Sequence, residues 1–306
     1  MKKETYVILG CGYLGYHLAN YFHYENKDVL IVGKSSYYAD KLHPSITFYE
    51  ANLFNVEDYE DVIPADSIVI HAVNHINSTN SFDDLEYDLQ FNYTSFIKLI
   101  NICEQKDVHK FVFISSAGTV YGDTQVNLIQ ESHPLRPVNI YGLQKVFFEN
   151  LLRIKMLESR KFQYVVLRVS NPYGGQQDPL KKQGIIPIMV NKALSGEPIE
   201  LWVSKNTIRD FIFINDFLEA TNLIIKNTKG RGDEFNVGSG QGNSLATVID
   251  LIEEATGRKI EVVNKAASTA TIHSNTLNIS KVREIGFIPR YSLKQGIDQL
   301  VDQMLK

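Results

Sequence analysis

The stretch Tyr6-Val7-Ile8-Leu9-Gly10-Cys11-Gly12-Tyr13-Leu14-Gly15 decides the fold of this 306-residue chain. Its apolar half predicts a buried strand, and Leu14, Leu18 and Phe22 then recur at helical spacing. A glycine-rich turn between a strand and a helix lets the backbone approach a pyrophosphate, whose charge meets the helix N-terminus. A second apolar strand over 29–32 follows at the distance typical of a βαβ unit, so the stretch predicts dinucleotide binding, with three tight-packing glycines as the alternative.

Strands and helices alternate through residue 170. Further strands are predicted over 46–50, 67–74, 110–114 and 162–169, with helices over 85–105 and from residue 141 onward. This alternation specifies an α/β fold with a doubly wound parallel sheet of the Rossmann type. We therefore predict that residues 1–170 form a dinucleotide-binding domain.

The regular alternation of strands and helices ends near residue 175. Helices are expected over 185–195, from a cap at Asn215 and Asp216 to 225, from a cap at Ser244 to Gly257, and over 293–305, with short strands over 199–202, 209–214, 234–238 and 260–263. No linker rich in proline or serine separates these elements from the sheet. Residues 171–306 are therefore predicted to form a smaller α/β lobe, with chain crossings back to the Rossmann sheet.

Composition narrows the class of protein. Apolar residues make up 44% and charged residues 22%, which is ordinary for a soluble globular enzyme, and the net charge of −4 gives no reason to expect nucleic acid or a membrane as partner. Cys11 and Cys103 are the only cysteines, and no metal-ligand spacing surrounds them. With no apolar run long enough for a signal or a transmembrane helix, we expect a cytoplasmic protein without a bound metal.

Tyr141 and Lys145 lie four residues apart at the start of a predicted helix, so both point to one face. A lysine ammonium beside a phenol favours the phenolate, which lets tyrosine exchange protons near neutral pH. Many amphipathic helices carry this spacing by chance, so its surroundings decide its meaning. The hydroxyl-rich segment 115–122 ends a predicted strand at the edge of a parallel sheet where ligands bind.

The residues after the second strand bear on the choice of cofactor. The sequence there reads Gly33-Lys34-Ser35-Ser36, so no carboxylate is available for an adenosine ribose. Lys34 and the two hydroxyls could instead accept a 2′-phosphate, which favours NADP, whereas a solvated Lys34 would leave NAD as the cofactor. Asn52, after the third strand, could hydrogen-bond an adenine edge.

Seven stretches together resemble the extended short-chain dehydrogenase/reductase family, in particular its NAD-dependent epimerases and dehydratases of nucleotide sugars, typified by UDP-glucose 4-epimerase. They are residues 10–15 (GCGYLG), 114–122 (ISSAGTVYG), 141–145 (YGLQK), 167–174 (LRVSNPYG), 208–211 (IRDF), 235–240 (FNVGSG) and 278–281 (NISK). The resemblance covers nearly the whole chain, and the stretches follow the order of the family.

The resemblance implies specific roles. Tyr141 is expected to be the catalytic acid and base, and Lys145 to hold the nicotinamide ribose and lower the proton affinity of the phenol. Asn171 is expected to bind the sugar diphosphate and Arg209 a phosphate, against a loop cap and a surface salt bridge with Asp210 as structural alternatives. The expected cofactor-binding residues are Gly10, Gly12, Tyr13, Leu14, Gly15, Lys34, Asn52, Leu53, Ala72, Asn92, Ser115, Tyr141 and Lys145.

The chain departs from the family pattern in several places. Leu9 stands for a usual glycine, Gly33 for the ribose acid and Asn52 for an aspartate. Ala117 occupies the position of the catalytic serine or threonine, so Ser116 or Thr119 is expected to relay the proton, or Tyr141 acts alone. Dehydratases of the family carry Asp-Glu where this chain has residues 118–119 (GT), which argues against a dehydratase. The carboxyl-terminal Arg-x-x-Asp is replaced by residues 268–271 (STAT).

Three functions are weighed on this resemblance. The first is a nucleotide-sugar 4-epimerase that uses bound NAD; the second is an NADPH-dependent reductase of a 4-keto nucleotide sugar; the third is a cofactor-binding protein without catalysis. The family also implies a homodimer packed through two helices, although the residues concerned could equally be internal core. Those residues are Tyr93, Phe96, Ile97, Ile100, Phe147, Phe148 and Leu152.

Overall fold

A computed structural model describes residues 3–73, 86, 89–159, 161–178, 184–265 and 272–305. The strands are β1 Thr5–Leu9, β2 Asp28–Gly33, β3 Thr47–Glu50, β4 Ile68–His71, β5 Lys110–Ser116, β6 Tyr164–Val169, β7 Asn171–Tyr173, β8 Ile199–Leu201, β9 Ile208–Phe213, β10 Arg231–Val237, β11 Gly242–Ser244, β12 Val262–Asn264 and β13 Ser274–Asn275. The α-helices are α1 Tyr13–Tyr24, α2 Thr94–Gln105, α3 Ala117–Val120, α4 Ile140–Glu158, α5 Ile185–Ser195, α6 Ile214–Asn227, α7 Leu245–Thr256, α8 Ser280–Glu284 and α9 Leu293–Met304. Short 3₁₀ helices lie at Ala39–Lys41, Val56–Asp58 and Glu60–Val62, and a π-helical turn, Leu89–Tyr93, precedes α2.

The central sheet has seven strands in the order β10-β6-β5-β4-β1-β2-β3. Strand β1 pairs in parallel with β2 and β4, β2 with β3, and β4 with β5. The central strands β1, β4 and β5 are almost wholly buried because both faces of the sheet are covered there, and phenylalanines of β5, α2 and α4 join in one core cluster. The predicted doubly wound α/β sheet is therefore confirmed.

The chain forms two compact units, each assembled from separate stretches. Unit 1 comprises residues 1–116, 139–168 and 224–235, and unit 2 comprises 117–138, 169–223 and 236–306. Unit 2 holds a four-stranded sheet in which β9 pairs with β7, β11 and β13, and a separate pair of β8 with β12. The chain crosses from unit 1 to unit 2 between residues 168 and 169, close to the predicted boundary at residue 170.

Some predicted boundaries were wrong. Asn215 and Asp216 do not cap α6, because that helix already begins at Ile214. The Asp216 carboxylate instead accepts the backbone N–H groups of Arg290 at 3.0 Å and Tyr291 at 3.1 Å, and so fixes the loop before α9. The other differences concern ends of elements: the fourth strand stops at residue 71, residues 171–173 are a strand, and the predicted strand over 260–263 occupies 262–264.

The predicted cap at Ser244 was correct. Ser244 accepts the backbone N–H of Thr247 at 3.1 Å at the start of α7, and Gly257 takes the left-handed conformation after its end. Residues 85, 87 and 88 of the predicted helix over 85–105, and the segment 268–271, lie outside the described residues. Among the described helices, none is both long and apolar enough to cross a membrane.

Candidate active site

The glycine-rich turn between β1 and α1 has the shape that a diphosphate requires. Gly10 has a φ of +108°, and a Cβ there would lie 2.8 Å from the carbonyl oxygen of Ala72. A Cβ at Gly15 would lie 1.8 Å from the carbonyl oxygen of Gly10, so only glycine fits both positions. At Gly12 an added Cβ would meet no atom within 4 Å, which leaves open space in front of the helix.

The N-terminus of α1 faces that open space without a competing acid. Gly12 is its N-cap residue and offers no side-chain hydrogen bond to the first turn, and the first turn carries no acidic residue. The backbone N–H groups at Tyr13 and Leu14 begin the helix there. Such a helix end attracts an anion through its dipole and its N–H groups. The turn therefore fits the pyrophosphate of a dinucleotide.

The other predicted cofactor residues of unit 1 lie just after strands β3 and β4 or in the π-helical turn before α2. Ala72 follows β4, and its N–H donates to the Leu9 carbonyl at 2.9 Å. Asn52 is exposed after β3, and its side-chain oxygen accepts the N–H of Phe54 at 3.4 Å. Leu53 packs partly against the core, and Asn92 is buried in the π-helical turn.

Tyr141 lies in the first turn of α4, where the Asn139 side chain caps the helix by accepting the N–H of Gly142 at 2.8 Å. The Ser116 side chain, at the end of β5, hydrogen-bonds to the phenol of Tyr141. Lys145 is buried, and its Nζ donates to the Ile114 carbonyl at 2.9 Å. That Nζ lies 5.6 Å from the centroid of the Tyr141 ring. Tyrosine, lysine and serine therefore meet at the carboxyl end of β5.

Burial shifts both titrating groups toward their neutral forms. It raises the pKa of Tyr141 to about 12, although the hydrogen bond from Ser116 acts in the opposite direction. Burial also lowers the pKa of Lys145 to about 7, against the opposing attraction of Glu149. The phenol is thus protonated in the cofactor-free protein, and Lys145 changes its charge near neutral pH. Small changes around Lys145 therefore have a large effect on the charge beside the phenol.

The two predicted substrate residues lie in unit 2 and are fixed by backbone carbonyls. The Asn171 Nδ2 donates to the Asp210 carbonyl at 2.8 Å. The Arg209 guanidinium donates to the carbonyls of Ile208 and Ile272, each at 2.8 Å. Burial lowers the pKa of Arg209, while Asp123 favours its charged form. Both side chains are therefore held in defined orientations.

The alternative for Arg209, a surface salt bridge with Asp210, was wrong. Asp210 is fully buried and its carboxylate accepts the backbone N–H groups of Ser239 at 2.8 Å, Gly240 at 3.0 Å and Leu277 at 3.2 Å. Burial raises the pKa of Asp210, and these donors oppose the rise. The carboxylate holds the loop after β10 and does not pair with its neighbour in sequence.

Comparison with known proteins now settles the family. A sequence model of the NAD dependent epimerase/dehydratase family matches residues 6–238. The chain belongs to this family. The expected resemblance is confirmed, and the family is one of NAD-dependent enzymes.

Individual relatives agree with that assignment. A protein of Methanocaldococcus jannaschii named "Putative UDP-glucose 4-epimerase" is 30% identical over 299 residues, which cover 96% of each chain. The dTDP-4-dehydro-6-deoxyglucose reductase of Escherichia coli is 30% identical over 251 residues, covering 80% of this chain and 78% of the reductase. The structure of UDP-glucose 4-epimerase from Thermotoga maritima with UDP-glucose superposes with a TM-score of 0.90 at 25% identity, over 99% of this chain and 100% of that one. The expected epimerase-type enzyme agrees with these relatives.

Within the epimerase/dehydratase family, the position of Ala117 is the main departure of this chain, and the structure defines its surroundings. Ala117 is fully buried, and its carbonyl accepts the Asn275 side-chain N–H at 2.9 Å. Thr119, the other candidate relay, is buried in α3. Ser116, one residue before Ala117, is the hydroxyl that bonds the phenol. Asn275 was missed from the sequence because nothing local links residue 275 to residue 117.

A second departure from the family concerns the adenosine end of the site. A Cβ at Gly33 would lie 2.9 Å from the backbone nitrogen of Cys11, so a larger residue does not fit without movement of the turn. The Ser36 hydroxyl donates to the Cys11 carbonyl at 2.9 Å, while Lys34 is exposed. The glycine-rich turn itself therefore fills the space of the usual ribose acid.

A carboxylate nonetheless stands beside this position, supplied by the next strand. Glu50 ends β3 and is the parallel register partner of Gly33. Its Oε1 accepts the backbone N–H of Ser35 at 3.3 Å. Glu50 could not be found from the sequence, because the acid is expected directly after β2 and the register between β2 and β3 is not readable from either segment alone.

Proposed function

We propose that this protein is a UDP-sugar 4-epimerase that retains its dinucleotide through the catalytic cycle. The observation that carries the proposal is the meeting of Tyr141, Ser116 and a buried Lys145 at the end of β5, in the same sheet whose strand β1 leads into a glycine turn that fits a diphosphate. The identity to the M. jannaschii protein over nearly the whole of both chains supports the sugar class. The absence of acids at residues 118–119 supports epimerisation over dehydration.

The proposed roles follow from where each residue lies. The turn with Gly10 and Gly12 would hold the diphosphate at the start of α1, and the bound nicotinamide would supply reversible hydride acceptance. As the phenolate, Tyr141 would take the proton of the sugar hydroxyl and later return it. Ser116 would hold the phenol in place through its hydrogen bond, and a charged Lys145 would stabilise the phenolate.

The substrate would be held by unit 2 residues. A guanidinium is planar and suits phosphate oxygens, so we assign Arg209 to the diphosphate of the sugar nucleotide. Asn171 would contact the same diphosphate through the atoms that its bond to Asp210 does not use. The fixed orientation of both side chains supports these roles, because little conformational freedom remains to be lost on binding.

NAD is the cofactor that the adenosine end of the site favours over NADP. A ribose with free hydroxyls can donate to a carboxylate, whereas a 2′-phosphate is repelled by one. Glu50 provides such a carboxylate next to Gly33. The exposed Lys34 supports the opposite choice, so binding of the two dinucleotides to the purified protein is the direct measurement.

A reductase of a 4-keto sugar nucleotide is the second candidate, favoured by the identity to the E. coli reductase. The two functions differ in net redox change. Purified protein should interconvert two UDP-sugars without added dinucleotide, and mass spectrometry of the denatured protein should detect retained NAD(H). Steady consumption of NADPH with a keto substrate, and no interconversion, would assign the reductase.

A homodimer is proposed from an apolar stripe on the surface of α2 and α4. Leu143, Phe147 and Ile154 recur at helical spacing on α4, and Ile97 lies on α2; all four are exposed. The other residues expected at this contact are internal core: they are Tyr93, Phe96, Ile100, Phe148 and Leu152. Cys11 and Cys103 are both buried and neither forms a disulfide, which supports a cytoplasmic location.

A further inference from the structure

A buried ion pair lies on the side of α4 that carries Lys145. The Arg168 guanidinium of β6 contacts the Glu149 carboxylate with both Nη2, at 2.8 Å, and Nε, at 3.1 Å from Oε2. The Ser115 hydroxyl of β5 donates to the other carboxylate oxygen, Oε1, at 2.5 Å. All three residues are at most 6% exposed. One carboxylate therefore joins a helix and two strands of the sheet.

This pair is placed next to both halves of the proposed catalytic group. Glu149 follows Lys145 by one helical turn, so the two side chains share a face of α4. Ser115 directly precedes Ser116, whose hydroxyl bonds the phenol. Buried ion pairs lose much of their attraction to desolvation, and apolar replacements are often as stable. Stability alone therefore does not account for a charged pair at this place.

We propose that Glu149 and Arg168 are positioning residues, which set the charge of Lys145 and hold the end of β5 that presents Ser116. The catalytic meaning of this assignment rests on the proposed function, but the electrostatic part does not. Glu149 favours the charged form of Lys145, and Arg168 neutralises Glu149 and limits that effect. The strength of the pair thus determines how much positive charge lies beside the phenol.

The other described groups around Lys145 are uncharged near neutral pH, so the Glu149–Arg168 ion pair sets the charge of Lys145. Tyr141 is protonated in the cofactor-free protein, and the Phe113 ring, 4.9 Å from Nζ, carries no charge. His71 on β4 is buried, and its pKa falls to about 3 through burial and the repulsion of Lys145. It is therefore neutral across the physiological range. Among the described residues near Lys145, Glu149 is the source of negative charge.

Two substitutions separate this electrostatic role from a purely structural one. Glu149→Gln removes the carboxylate that contacts Arg168, whereas Arg168→Met removes the guanidinium that contacts this carboxylate. Both changes should destabilise the fold, yet they should move the titration midpoint of Lys145 in opposite directions. We expect a fall of about one to two pH units in Glu149→Gln and a rise in Arg168→Met, from one charge a helical turn away at an effective dielectric near 20.

The midpoint is measured by NMR on cofactor-free protein labelled at lysine ¹³Cε, with Lys145→Met to assign the signal. The Glu149→Gln/Arg168→Met double variant should fall between the two single variants, and Glu149→Asp should restore most of the wild-type midpoint. Thermal unfolding of each variant defines the range in which it is folded. If Glu149→Gln is unfolded, the test is the rise in Arg168→Met together with a return to near the wild-type midpoint in Arg168→Lys, which keeps both charges.

The activity arm tests the catalytic consequence. Because a charged Lys145 stabilises the phenolate, the acid limb of kcat should move to higher pH in Glu149→Gln and to lower pH in Arg168→Met. Midpoints that do not move, or that move together while both variants lose stability, overturn the proposal. Opposite NMR shifts in a protein that lacks epimerase activity would instead retain the electrostatic assignment and reject the proposed function.

Discussion

The hydroxyl that replaces the family's usual serine or threonine can be identified by replacing Ser116 with alanine. In the structure this side chain hydrogen-bonds the Tyr141 phenol, which has to be the anionic phenolate in order to take the substrate proton. A hydrogen bond to a charged group contributes about 1.5 to 3 kcal/mol. Since each 1.36 kcal/mol is a factor of ten, Ser116→Ala should lower kcat about 10- to 150-fold.

The assay is interconversion of UDP-sugars by purified protein, with Thr119→Val as the matched control. Thr119 is the other hydroxyl that the sequence offers, and valine keeps its shape, so this variant should stay within about threefold of wild type. Loss of the hydrogen bond from Ser116 should also raise the pKa of the phenol, because that bond lowers it. The acid limb of kcat should therefore move to higher pH in Ser116→Ala.

The reasoning is refuted if Ser116→Ala keeps activity within about twofold while Thr119→Val loses the larger factor. That result would make Thr119 the relay. The Ser116 side chain is only half-buried, so its replacement by alanine should leave the fold intact. Far-ultraviolet circular dichroism and the Tm of both variants check that a loss of activity is not a loss of folding.

Three further outcomes are expected. Tyr141→Phe should retain its fold and its dinucleotide but lose turnover by about 10²- to 10⁴-fold, the contribution of positioned proton transfer, and near-normal activity would show that the phenol only packs. Glu50→Gln should weaken the binding of NAD more than that of NADP, as measured by calorimetry. Lys34→Asp should weaken NADP binding more than NAD binding only if Lys34 contacts a 2′-phosphate, and equal effects on both would dismiss that role. Phe147→Glu should shift the mass measured by light scattering from dimer to monomer, and Tyr24→Glu, at a more exposed aromatic position on α1, should not; a dimeric Phe147→Glu variant would place the contact elsewhere.

Local signals explain what was predictable from the sequence. A strand, a glycine turn and a helix are encoded within residues 5–24, and the structure places them there with the strain that demands glycine at Gly10. The spacing of Tyr141 and Lys145 likewise lies within one helix, so their common face followed from the helical period. Both features depend on residues close in the sequence.

Features that depend on distant residues could not be read in this way. Glu50 stands beside Gly33 only through the register of two strands, and Arg168 reaches Glu149 only after β6 has packed under α4. The helix pattern also could not say which apolar residues of α2 face the sheet: Ile100 is buried, whereas Ile97 is exposed. In each case the sequence does not say which distant residue packs against the one in question.

The interleaved composition of the two units has a consequence for how the chain is made. Strand β10, at the edge of the central sheet next to β6, comes from residues that leave the ribosome long after the rest of that sheet. Lys110 finds its carbonyl partners at Ile225 and Thr228, at 2.6 and 2.5 Å, only once those residues exist. A nascent chain of 170 residues therefore exposes an unpaired strand edge and lacks the acceptors for an inward-facing ammonium. The central sheet is complete only after residues 231–237 have been synthesised, which makes protection of that edge by a chaperone most valuable before that point.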